Sequence, residues 1–127
     1  MPFEVNLDRV SRVVRMRHVE PACFAEWCDA LNASIPELAG DLLLGLLVDR
    51  RDAVPVETAF AQSMASHLAA HRNIFEGRRI AILVAQEGDA GYGMARMQGT
   101  LNEKSGAATA VFTSETKAVA WLATGVR

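Results

Sequence analysis

Two alternating segments open the chain, FEVNL (residues 3–7) and SRVVRMRHV (residues 11–19), with a polar break near Asp8 and Arg9 between them. This pattern predicts an antiparallel hairpin. In the second segment Val14, Met16 and His18 share one face, and Arg15 and Arg17 the other, as in a half-solvated strand near a sheet edge. The period then changes. PACFAEWCDALNAS places Phe24, Trp27, Cys28 and Leu31 at i, i+3, i+4 and i+7, which predicts a helix with one buried stripe. Pro21 suits its first position, and Pro36 and Gly40 are expected to end it.

The segments LLLGLLVD (residues 42–49) and RIAILVA (residues 79–85) are apolar without alternation, the mark of strands covered on both faces. Leu43 to Val48 and Ile80 to Val84 are therefore expected as adjacent parallel strands, and ATAVF (residues 108–112) as a further one. Helical periodicity runs between them from Pro55 to about Phe75 and from about Gly91 to Lys104. It returns from Ser114 to Ala123, with Ser114 as the N-cap and Gly125 as the C-terminal stop. The order ββαβαβαβα predicts one α/β domain over residues 1–127. Its single mixed sheet joins an N-terminal antiparallel hairpin to parallel central strands.

Composition narrows the function classes. Half of the 127 residues are hydrophobic and 22% are charged, an ordinary globular balance. A net charge of −2 gives no electrostatic footprint for nucleic acid or an anionic membrane. The longest apolar run, Leu42 to Val48, is far short of the ~20 residues of a membrane span. The first residues are charged early and lack an apolar signal segment, so a cytoplasmic location is expected. Cys23 and Cys28 are five apart, about 140° around a helix, so they do not pair within it and are expected as reduced packing residues.

Candidate chemistry gathers at strand ends and helix faces. Gly88, Gly91 and Gly93 lie between a buried strand and a helix, where backbone N–H groups favour an anion. The spacing G-x-x-G-x-G is neither a Rossmann fingerprint nor a P-loop, and Glu87 and Asp89 add negative charge. A structural turn with Asp89 as N-cap is the main expectation, an anion site the alternative. His67 and His71 have HxxxH spacing but no third ligand, so they are expected at the core margin or lining a pocket, without metal. His18 is read as structural. Tyr92 and Arg96 share the helix face opposite an expected buried stripe of Met94, Met97 and Leu101, and form a candidate partner surface. The C-terminal ends of the parallel strands would gather Asp49, Arg50, Arg51, Gln86, Glu87, Asp89, Tyr92 and Thr113. Crevices there are usual ligand sites, so Arg50, Arg51, Gly91, Gly93 and Thr113 are candidate anion-binding residues.

The segments LLVDRRDA, RRIAILVA, GYGMARM and AVFTSETKAVAWL, in that order, resemble the STAS-like fold group, and within it the small stand-alone SpoIIAA-like proteins of bacteria. The matching residues are Asp49 and Arg50 closing a strand, Arg96 on the helix after the glycine turn, and Ala118, Trp121 and Leu122 on the last helix. The resemblance covers nearly the whole chain and implies a non-enzymatic domain of unassigned pathway. Members that antagonise anti-sigma factors carry a phosphorylatable Ser or Thr where the third strand meets the next helix. VDRRDAVPVE has no hydroxyl between Asp49 and Glu57, which implies that this switch is absent. The reading that results is a soluble binding or regulatory domain acting through protein–protein contact, a homodimer included. A carrier of a small apolar or anionic ligand is the alternative, and a hydrolytic enzyme comes third. No cofactor is implied.

Overall fold

The computed structural model describes residues 3–19, 23–53, 57–88 and 90–124. Five strands form one sheet: β1 (Phe3–Asp8), β2 (Val13–His18), β3 (Gly45–Asp49), β4 (Arg79–Leu83) and β5 (Ala108–Phe112). Their spatial order is their sequence order. β1 and β2 are antiparallel, with Phe3 opposite His18, and every later pair is parallel. Helices α1 (Phe24–Gly40), α2 (Thr58–Ala70), α3 (Arg72–Phe75), α4 (Ala90–Asn102) and α5 (Glu115–Ala123) complete the α/β fold, and a 3₁₀ turn follows α4 at Glu103–Ser105. No helix among the described residues is long and apolar enough to cross a membrane.

The strand order decides where the helices go. A β-α-β crossover is right-handed, and here each parallel strand joins on the same side of its predecessor, so successive crossover helices fall on one face. There α1, α2 and α4 cover Val14, Met16, Leu46, Ile80 and Ile82. On the opposite face α5 packs Ala118 and Leu122 on Val13, Leu47, Ala81 and Leu83. Strands β3 and β4 are thus buried on both faces, which is why neither alternates in sequence. Gly45 is required by this packing: a Cβ there would stand 2.9 Å from Leu122 Cδ2.

Several element boundaries differ from the sequence expectation. Helix α1 passes through Pro36 and ends at Gly40. Proline removes one intrahelical hydrogen bond, but Leu38 beyond it is fully buried and its carbonyl accepts from the Arg78 Nη2 at 2.7 Å. Leu42 and Leu43 lie in a turn before β3, Leu42 being 79% exposed. The expected helix to Phe75 breaks at His71 into α2 and α3. Cys23 is exposed at the N-cap of α1 instead of packed, its N–H bonding Glu26 Oε1 at 2.9 Å, while Cys28 is part-buried against the core. Both thiols are free, and burial raises the Cys28 pKa. Ser114 caps α5 by accepting from the Lys117 N–H. Pro21, Pro55, Val56, Asp89 and Gly125 lie outside the described residues.

Arg78, itself only 5% exposed, ties these elements together. Its Nε donates to Ile74 O (3.0 Å), Nη1 to Asp41 O (3.1 Å) and Leu44 O (2.6 Å), and Nη2 to Leu38 O. Three of those carbonyls belong to the end of α1 and the turn into β3, where a helix C-terminus leaves acceptors unsatisfied. Arg78→Met should destabilise the fold by about 3–5 kcal/mol in urea unfolding, because several buried carbonyls lose their donor together. Arg78→Lys should recover less than half of this, since an ammonium lacks the planar fork that spans four acceptors. A loss below about 1 kcal/mol in the Met variant would contradict this role.

Candidate functional site

Side chains alternate along a strand, so neighbours at the end of β3 leave on opposite faces. Asp49 turns toward α5, and Arg50 toward the layer of α1, α2 and α4, where it lines a cavity with Met16, Leu46, Met64 and Gln98. The Arg50 Nη1 lies 3.1 Å from His18 Nδ1. A guanidinium only donates, so His18 Nδ1 accepts and the ring proton belongs on Nε2. Burial lowers the pKa of Arg50. Phe3 stacks on the His18 ring at 4.5 Å, which sets its plane.

Arg51 goes elsewhere. It holds Asp49 in two bonds, Nε to Oδ1 (3.1 Å) and Nη2 to Oδ2 (2.8 Å), and its Nη2 also reaches Glu115 Oε1 (3.1 Å). Arg15 joins at Glu115 Oε2 (3.0 Å), and Arg17 bridges Glu4 and Asp52. This network occupies the half of the sheet face that α5 leaves open. The two adjacent arginines read together from sequence are thus separated, Arg50 facing the cavity and Arg51 bonded to carboxylates.

The glycine segment is divided as well. Gly88 has φ +86°, a left-handed turn that favours glycine, whereas Gly91 and Gly93 are already inside the first turn of α4. Gln86, Glu87 and Thr113 are exposed. None of Arg51, Gly91, Gly93 and Thr113 lines the cavity around Arg50. His67 and His71 stand at the α1–α2 margin. His67 Nε2 donates to Asn32 Oδ1 at 3.3 Å, and His71 Nδ1 to the His67 carbonyl at 3.1 Å. Burial, then the charge of His71, lowers the His67 pKa. His67 borders a shallow depression with Phe24 and Ser63, away from the cavity. Among the described residues no three His, Cys, Asp or Glu side chains are gathered as a metal ion would need.

Helix α4 is turned differently from the expected methionine stripe. Ala95, Gln98 and Asn102 are its buried residues, while Met94, Met97 and Leu101 are part-buried. The polar pair tolerates burial because Gln98 Nε2 donates to Asn102 Oδ1 (2.7 Å) and Asn102 Nδ2 to Thr109 Oγ1 (3.4 Å). Gln98 and Asn102 are the site residues that sequence reasoning missed; their i, i+4 spacing was the available signal. Tyr92 is part-buried against the core instead of outward, and Arg96 is exposed with its guanidinium 6.0 Å over the Tyr92 ring. Both line a groove of about 780 Å³ with Gly99, Thr100, Glu103 and residues 108–111 of β5.

The free edge of β5 forms one wall of that groove. Ala108 N donates to Arg78 O and Phe112 O accepts from Val84 N, so these residues turn their backbone groups toward β4. By alternation Ala110 does the same, and the N–H and C=O of Thr109 and Val111 face outward. No charge or proline interrupts ATAVF, although such residues normally blunt an edge strand.

The Asp49–Arg51 pair carries a pH signature. Burial pushes the Asp49 pKa up, but the hydrogen bonds and charge of Arg51 outweigh it and leave the pKa below the usual carboxylate value. A lowered folded pKa stabilises above the unfolded value of about 3.9 and loses that contribution as pH falls through the folded one. Arg51→Ala leaves the burial without the counter-charge. The variant should lose about 1–3 kcal/mol at neutral pH, with the deficit narrowing toward pH 4 as Asp49 takes up a proton. Denaturant unfolding across pH checks this, and a pH-independent deficit would contradict it.

Comparison with protein-family models, curated proteins and solved structures finds no match to this chain.

Proposed function

We propose that this protein is a soluble, non-enzymatic binding or regulatory domain that works through protein–protein contact at the β5–α4 edge, and that the partner is a second copy of the chain. The observation that carries this reading is the uncharged edge of β5, beyond which no described strand lies and from which the Thr109 and Val111 backbone groups point away from the sheet. A two-fold axis at Ala110 would set β5 antiparallel to its mate. Thr109 would then exchange two hydrogen bonds with Val111 of the other copy, and small Ala108 would oppose large Phe112. The outward surface of α4 and of the 3₁₀ turn after it has matching symmetry. Arg96 and Glu103 lie seven residues, about two turns, apart with Gly99 between them, and Gly99 lies against Thr109. The same axis would bring Arg96 of each copy to Glu103 of the other.

The motif resemblance supports a SpoIIAA-like assignment of the fold, consistent with sequential strands and crossover helices on one face. It also favours contact over chemistry. The imidazoles of His67, His71 and His18 bond Asn32, a backbone carbonyl and Arg50, none of which is a nucleophile.

Val111→Pro removes one outward N–H while sparing the ladder to β4; because Val111 also packs on the core, circular dichroism of the variant should first show the fold retained. Sedimentation across a concentration series should show a wild-type dimer weakened at least five- to thirty-fold by Val111→Pro or Tyr92→Ala/Arg96→Ala, a change of about 1–2 kcal/mol. Arg96→Glu and Glu103→Arg should each weaken it, and the double exchange should restore it. A monomeric wild type at high concentration, or a dimer unaffected by Val111→Pro, would overturn the reading.

A further inference from the structure

Away from that edge, a cavity of about 50 Å³ lies between the sheet and the layer of α1, α2 and α4. Met16, Leu46, Met64 and Ile80 supply much of its apolar wall, and Ala95 and Gln98 face it from α4. Gln98 is 8% exposed. Its Nε2 is held by Asn102, and its Oε1 is buried with no hydrogen-bond partner among the described residues. A bare buried acceptor is costly, so an occupant that donates to it is favoured.

The size and the wall decide what that occupant is. At about 10–15 Å³ for each water-sized group, the space takes roughly three to five such groups. Filled with water, it would have to offer about two to four polar partners to every molecule. Its other polar side chains are engaged: Arg50 is bonded to His18, and Asn102 to Gln98 and Thr109. The Gln98 oxygen alone cannot hold several waters. An ion would lose its hydration against a largely apolar wall. What fits is a neutral body of about three or four heavy atoms, mostly carbon, that carries one hydroxyl.

We propose that this cavity is a binding site for a neutral alcohol of two or three carbons. Its hydroxyl donates to Gln98 Oε1, and its carbon body lies among Met16, Leu46, Met64 and Ile80. The two methionines make the wall adaptable, since an unbranched thioether repacks at low cost. The site uses the inner side of α4 and does not depend on the β5–α4 contact.

Methionine-methyl NMR of the full chain tests the proposal, with Met16 and Met64 reporting the cavity and Met97, which does not line it, as internal control. Ethanol, propan-1-ol and propan-2-ol should shift the Met16 and Met64 methyls saturably. Dissociation constants should be millimolar, as suits so few atoms. Propanone matches propan-2-ol in size but has no donor, and should bind about tenfold more weakly. Hexan-1-ol is too long for the space and should bind more weakly than propan-1-ol, whereas general apolar contact strengthens with every methylene. Gln98→Leu should erase the preference for propan-2-ol over propanone. Ala95→Leu, which fills the cavity from α4, should abolish the shifts while circular dichroism shows the fold retained. Shifts that do not saturate, equal binding of propan-2-ol and propanone, or tighter binding of hexan-1-ol by the wild type would overturn the proposal. So would undiminished binding by a folded Ala95→Leu protein.

Discussion

Each parallel strand of this sheet is added on the same side of the one before it, and the remaining architecture follows from that constraint. Right-handed crossovers then place α1, α2 and α4 side by side on one face. Among the described helices only α5, which follows β5, packs on the other face, and its nine residues cover β3 to β5. The remaining surface beside β2 must be polar, and it carries Arg15, Arg17 and their carboxylate partners. No described strand follows β5, which ends the sheet with its Thr109 and Val111 backbone groups turned outward, and α4 lies beside it. The proposed contact surface is thus a direct product of the topology.

Three arginines at the ends of the central strands divide the work of holding this arrangement. Arg78 is satisfied by backbone carbonyls from α1, α3 and the turn into β3, so it fastens the helical layer to the sheet at the N-terminal ends of β3 and β4. At the other end Arg51 neutralises Asp49 and reaches Glu115, which ties β3 to the start of α5. Arg50 faces the interior with His18 beside it. Their roles differ because of direction more than residue type: just past β3, Arg50 faces the cavity, while Arg51, in the turn that follows, folds back on Asp49.

The element order, the parallel centre and the hairpin were legible because apolar continuity and apolar alternation differ in period, as RIAILVA and FEVNL show. Boundaries were less so. Pro36 reads as a helix stop, yet buried Leu38 and the reach of Arg78 extend α1 past it, a tertiary effect with no local signature. The rotation of α4 was hidden for a similar reason. Gln98 and Asn102 look like solvent positions until they are seen to bond each other and Thr109, which comes from the next strand. Of the candidate site, Tyr92 and Arg96 were found together and do share one groove. Arg50 and Arg51, read together, stand apart because the chain leaves β3 at Asp49 and turns there: Arg50 lines the cavity and Arg51 folds back on Asp49.

In the proposed dimer the outward amides of β5 bond a second copy. Amide hydrogen exchange reads those groups individually. In a dimer, protection at Thr109 and Val111 should rise with protein concentration, while Ala110, bonded to β4, should be protected at every concentration. Thr109 and Val111 amides exchanging as fast at high concentration as in dilute protein would contradict the account.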